Sequence, residues 1–93
     1  RPPIDLRLAR FYVEQERYAE ALEEYGRVMT WHPAISEPYE QTMRLLARTG
    51  TGGVRAVERV YRKGRRHLRS ADARADLDRA RGEALALLGA RTK

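Results

Sequence analysis

The sequence predicts an all-α protein. Apolar residues recur three and four positions apart in five separate stretches, and proline, serine or glycine falls between most of them. No stretch alternates with period two for long enough to make a strand. Ninety-three residues fit one domain, residues 1–93, in which folding hides about 60–65% of the unfolded chain's surface. The opening Arg1-Pro2-Pro3 lacks a methionine and suggests a piece of a longer protein.

Helix one is expected to start near Pro3 or Ile4, since proline is tolerated in a first turn. Ile4, Leu8, Phe11 or Tyr12, and Gln15 have amphipathic spacing, and Glu16-Arg17 makes a tight turn without glycine. Helix two is expected from about Tyr18 to Trp31. Its apolar face is Ala21, Leu22, Tyr25, Val28 and Met29, while Glu20, Glu23 and Glu24 face solvent near the positive end of the helix dipole. Pro33 stops it, because proline lacks an N–H and disfavours helical geometry in His32.

Ser36 is the expected N-cap of helix three, with Pro38 in its first turn. Tyr39, Thr42, Met43, Leu45 and Leu46 make its buried face, and Gly50 supplies the left-handed residue that ends it. Thr49 to Gly53 is a flexible loop. Helix four, about Val54 to Leu68, buries Val57, Val60, Tyr61, Gly64 and Leu68. A glycine there costs roughly 1 kcal/mol relative to alanine, and a close helix approach is one reason to keep it. Ser70 caps helix five, whose stripe is Ala73, Leu77, Ala80, Ala84, Leu87 and Leu88, with Gly89 at the expected stop.

Composition narrows the function classes. Without cysteine there is no disulfide framework, thiolate metal site or thiol nucleophile. No apolar run approaches the roughly 20 residues that span a bilayer, so no membrane contact is expected of this domain and a cytoplasmic location fits. His32 reads as a capping or surface residue and His67 sits in a basic run, so a metal site is not expected. No nucleophile-elbow, zinc-protease or phosphate-loop pattern occurs, and the acids read as helix-surface groups, so neither catalysis nor a cofactor is expected. Trp31 reads as a packing residue, or as an interface marker if exposed.

The formal charge is +6, and Arg55 to Arg69 holds seven bases against the single acid Glu58. Arg55, Arg59, Arg62, Lys63 and Arg66 could meet nucleic-acid phosphates. The preference for arginine and alanine resembles the codon bias of a GC-rich genome, and no aromatics interleave with the bases. A solvated face, or one paired with acids of helix two or five, is therefore favoured.

Leu8-Ala9 with Tyr12, then Tyr18, Ala21, Tyr25 and Pro33, resemble the signature of the tetratricopeptide repeat. Alanine lets two helices come close, aromatics fill the space between hairpins, and one hairpin cannot bury its own face. A worn second copy runs from Ser36, with Ala56 or Val57 and Tyr61 as its alanine–aromatic pair. His32 to Gly50, with Pro33, Glu37, Met43, Leu46 and Gly50, is similar to the second-hairpin entry of the bacterial transcriptional activator domain (BTAD) family. Together these resemblances cover about Leu6 to Leu68. They imply a tetratricopeptide-like stack, with hairpin one at 4–32, hairpin two at 36–69 and a capping C-terminal helix at 71–88.

In such stacks the first helix of each pair lines a concave groove. The resemblance places Leu6, Arg10, Val13 and Glu14 there, with Glu40, Arg44, Ala47 and Arg48. Arg10, Arg44 and Arg48 are then candidates to clamp a carboxylate. The leading expectation is a non-catalytic interaction module of a bacterial transcriptional regulator, acting by docking on a protein partner or by self-association. The alternatives are a general tetratricopeptide adaptor holding a peptide, and a basic module touching nucleic acid through helix four. Nucleic-acid binding by a neighbouring domain fits the leading reading.

Overall fold

The computed structural model describes residues 4–91, and the described residues form five α-helices: α1 (Ile4–Glu14), α2 (Tyr18–Trp31), α3 (Glu37–Thr49), α4 (Gly53–His67) and α5 (Ala71–Arg91). The role expected of Pro3 in the first turn, and of the Ile4 side chain in the buried stripe, lies outside what is described. The helices pack in succession: α1 on α2, α2 on α3, α3 on α4, and α5 across both α3 and α4. None is long and apolar enough to cross a membrane.

The α1–α2 turn is closed by backbone hydrogen bonds, with the Arg17 guanidinium over the Tyr12 ring. Glu16 takes a left-handed φ of 58°, and the Arg17 N–H donates to the Tyr12 carbonyl at 2.8 Å. At the far end of α2, the Tyr39 hydroxyl donates to the Pro33 carbonyl at 2.8 Å. That bond pins the proline turn onto α3.

Two apolar clusters hold the helices together. The first joins Leu6, Ala9, Ala21, Tyr25, Val28 and Leu45. The second gathers Met29, Tyr39, Met43, Ala47, Val57, Leu68, Leu77, Ala80, Ala84 and Leu88. Two helices feed both: α3, with Leu45 in the first and Tyr39, Met43 and Ala47 in the second, and α2, with Ala21, Tyr25 and Val28 in the first and Met29 in the second. The second cluster is tightest at Gly64. A Cβ added there would sit 2.9 Å from Leu77 Cδ1 and 3.2 Å from Tyr39 Cγ, so the glycine admits a close helix approach, as its place in the stripe suggested.

Several details differ from the sequence expectation. Ala9 is buried and Tyr12 packs on the first cluster, as their repeat positions suggested, but the inner face of α1 is completed by Leu6, whereas Leu8 and Phe11 are partly exposed. Ala9 and Ala21, both fully buried, belong to the same core, and centring the stripe on Ala9 turns Leu8 outward. Glu24 is buried rather than solvated and pairs with Arg27. Ser36 precedes α3 but has helical φ and ψ and makes no side-chain cap bond, although its carbonyl accepts from the Tyr39 and Glu40 N–H groups. Gly50 ends α3 in the left-handed conformation, as expected. The Ser70 Oγ accepts from the Ala73 N–H at 3.0 Å, the expected cap of α5.

Gly89 does not stop α5, which continues to Arg91, and Leu87 is exposed. The Arg91 guanidinium reaches across to donate to the Arg48 carbonyl at 2.9 Å, which joins the extra turn to the end of α3. Trp31 is 74% exposed and packs in neither cluster.

Two glycine substitutions should have opposite signs. Gly64→Ala gains helix propensity but forces Leu77 and the Tyr39 ring to shift, and overpacking costs about 1–3 kcal/mol, so stability is expected to fall. Gly82→Ala in α5 meets nothing within 4 Å and is expected to raise stability by about 0.5–1 kcal/mol. Urea unfolding followed by circular dichroism checks both signs.

Candidate functional site

One strip of α3 stays clear of both cores. Gln41, Arg44 and Arg48 lie three and four residues apart along it and share a side of the helix. Val13 from the end of α1 and Tyr18 from the start of α2 flank this strip, and Glu83, Ala84 and Leu87 of α5 face it from the other side. Together with Leu45 they enclose an open cleft of about 320 Å³.

The cleft combines apolar surface with charge. Val13, Leu45 and Leu87 supply the apolar part. Arg44 donates from Nε to Glu83 Oε1 at 2.9 Å, and its Nη1 lies 3.7 Å from Glu40 Oε1. The Arg48 guanidinium sits over the Tyr18 ring, 5.3 Å from its centroid. A guanidinium so placed keeps donors free for a carboxylate, and that of Arg44 is held by carboxylates an incoming acid can replace. The arrangement suits an apolar side chain with an acid beside it.

The groove residues expected from the sequence divide into two groups. Val13, Arg44 and Arg48 meet in the cleft, with Glu40 half-buried beside Arg44. Leu6 does not line it: the side chain is 3% exposed and belongs to the first cluster. Ala47 is likewise buried, in the second. Arg10 instead clamps the first turn of α3, donating from Nε and Nη2 to the two Glu37 oxygens at 2.7 and 2.6 Å. Glu14 is exposed and outside the cleft lining. Sequence reasoning missed Tyr18, Gln41, Leu45, Glu83, Ala84 and Leu87. The apolar 84–88 run with Glu83 before it was a signal that α5 has a second face.

The Arg10–Glu37 pair also acts on Tyr25. Burial is the largest cause pushing the Tyr25 phenol up to about 12, and the Glu37 charge adds to it while Arg10 opposes it. Between α4 and α5, Arg81 donates to both oxygens of Glu58 at 2.5 and 2.7 Å, and these bonds lower the Glu58 pKa. Tyr61 lies beneath the Arg81 guanidinium and donates to Asp78 Oδ1 at 2.7 Å. That bond, followed by burial, raises the Tyr61 pKa. The expected nucleic-acid contacts Arg55, Arg59, Arg62, Lys63 and Arg66 all belong to α4 and take no part in the cleft.

A second cleft, about 630 Å³ and mainly apolar, lies between the start of α4 and the end of α5, lined by Gly53, Val54, Leu85 and Leu88 with Arg91 at its edge. No group of three His, Cys, Asp or Glu among the described residues is placed to hold a metal ion. Comparison of the chain with protein-family models, curated proteins and solved structures finds no match.

The Tyr25 shift gives a stability window at alkaline pH. The folded pKa lies above the ordinary value of 10.0, so the stabilisation is complete below that value. It is lost as pH rises towards 12, because the unfolded chain releases its proton first. Melting temperature is expected to fall across that interval, and Tyr25→Phe to flatten the fall. Melts at matched ionic strength on the two chains measure it.

Proposed function

We propose that the chain is a non-catalytic protein–protein interaction module, a tetratricopeptide-like stack in which α1, α3 and α5 line a peptide-binding groove. The resemblance of His32 to Gly50 to the BTAD family supplies the context: a cytoplasmic bacterial transcriptional regulator acting through docking or self-association. Support for the stack comes from the packing order, in which α1 pairs with α2, α3 with α4, and α5 lies on both α3 and α4. The buried Ala9, Ala21 and Tyr25 suit the repeat's signature positions. The carrying observation is the cleft that joins Val13, Leu45 and Leu87 to Arg44 and Arg48. Its chemistry favours a partner segment with a leucine-sized side chain next to an aspartate or glutamate.

Selection from a displayed peptide library tests this directly. Enriched peptides should pair an aliphatic residue with an acid, and Arg44→Ala with Arg48→Ala should weaken the best of them by about tenfold or more. Glu83→Gln should act in the opposite direction, because it removes the carboxylate that competes for Arg44. No enrichment, or equal binding by the double variant, would overturn the reading.

A further inference from the structure

We propose that the outward row of α4 docks on the phosphate backbone of duplex nucleic acid without reading its sequence. The row is Arg55, Arg59, Arg62 and Arg66, spaced four, three and four residues apart, with Lys63 on its flank. At about 100° per residue these positions share the side of the helix opposite Val57, which is fully buried. The row is about 16 Å long, a length over which a duplex carries roughly ten phosphates.

The row brings four arginines without a carboxylate partner among the described residues onto one side of a single helix. Six arginines elsewhere are tied to carboxylates: Arg10 to Glu37, Arg17 to Glu20, Arg27 to Glu23 and Glu24, Arg44 to Glu40 and Glu83, Arg79 to Asp76, and Arg81 to Glu58. Among the described residues, no member of the α4 row has an ion pair of this kind. Codon bias accounts for many arginines but not for their alignment along one helix side opposite the buried Val57. Glu58, the only acid of α4, is held by both Arg81 bonds. Arg62 feels it electrostatically without a hydrogen bond, and Arg66 acts in the same way on the Tyr39 phenol.

The surroundings select among polyanions. Insertion into a lipid surface needs a free apolar helix face, yet Ala56, Val57 and Gly64 are buried in the protein. Single strands bind through stacked aromatics, and the one aromatic of α4, Tyr61, is covered by Arg81 and bonded to Asp78. A straight ridge of evenly spaced cations matches the regular phosphates of a duplex.

Fluorescence anisotropy with a labelled mixed-sequence DNA duplex, titrated from low to physiological salt, tests the proposal. The slope of log K against log salt should be about −3.5 to −4.5, as expected for four or five phosphates. Arg59→Gln with Arg62→Gln should make it shallower by about 2 and weaken binding by tenfold or more at low salt. Arg59→Lys with Arg62→Lys should keep the slope, which separates lost charge from lost fold. Arg7→Gln with Arg79→Gln, equal in net charge to the first pair, should leave binding nearly unchanged. Four results would overturn the proposal: no saturable binding at low salt, equal loss in the control pair, tighter binding to a single strand, or tighter binding to polyglutamate or phosphatidylserine vesicles.

Discussion

The meeting of Tyr39, Gly64 and Leu77 is the constraint on which the rest of the structure depends. Three helices converge there, and the missing side chain of Gly64 is what lets α4 approach the Tyr39 ring and the Leu77 methyls. With Tyr39 fixed from that side and bonded to Pro33 on another, α3 has little freedom to rotate. Leu45 then points into the first cluster while Met43 and Ala47 point into the second. The strip of α3 that remains is the one carrying Gln41, Arg44 and Arg48. The same contact fixes α4, since burying Val57 and Gly64 turns the opposite side, with its arginines, away from the protein.

Ion pairs then determine which charges remain available. Arg10–Glu37 joins α1 to α3, Arg44–Glu83 joins α3 to α5, and Arg81–Glu58 joins α5 to α4. Each involves partly exposed side chains and contributes about 0–1 kcal/mol, so the apolar clusters hold the fold and the pairs refine it. Their larger effect is on distribution. By engaging Glu58, Arg81 takes up the only acid of α4, and among the described residues the α4 row has no ion pair.

Much of this was legible in the sequence, and the exceptions have physical causes. All five helices, the turn at Glu16-Arg17, the left-handed Gly50, the Ser70 cap and the tight approach at Gly64 follow from local backbone chemistry. Side-chain direction was harder to read. Helix one carries apolar residues at Leu6 and Ala9 and also at Leu8, Phe11 and Tyr12, so its periodicity alone fits two faces. The choice is made by α2, which presents Ala21. Ser36 has the composition of a cap, but whether a hydroxyl turns to its helix depends on backbone angles that composition does not reveal. Gly89 has the composition of a stop, yet glycine costs a helix only about 1 kcal/mol, and burial of Leu88 with the Arg91 bond to α3 offsets that. Trp31 lies beyond the reach of both clusters, which a one-dimensional pattern cannot express.

The least legible part was the role of α5. Its stripe at Leu77, Ala80, Ala84 and Leu88 suggests a cover, and it does cover the second cluster. Its polar residues do more than face solvent. Arg81 and Glu83, two positions apart, reach different neighbours: Arg81 goes to α4 and binds the only acid there, and Glu83 goes to α3 and binds a cleft arginine. One helix therefore strengthens the net positive charge presented by α4 and weakens that presented by the cleft. The two surfaces share no residue, since α4 contributes nothing to the cleft. Adjustments to α5 act on each through a separate ion pair, and the balance between the surfaces rests on residues that belong to a helix whose apolar stripe suggests only packing.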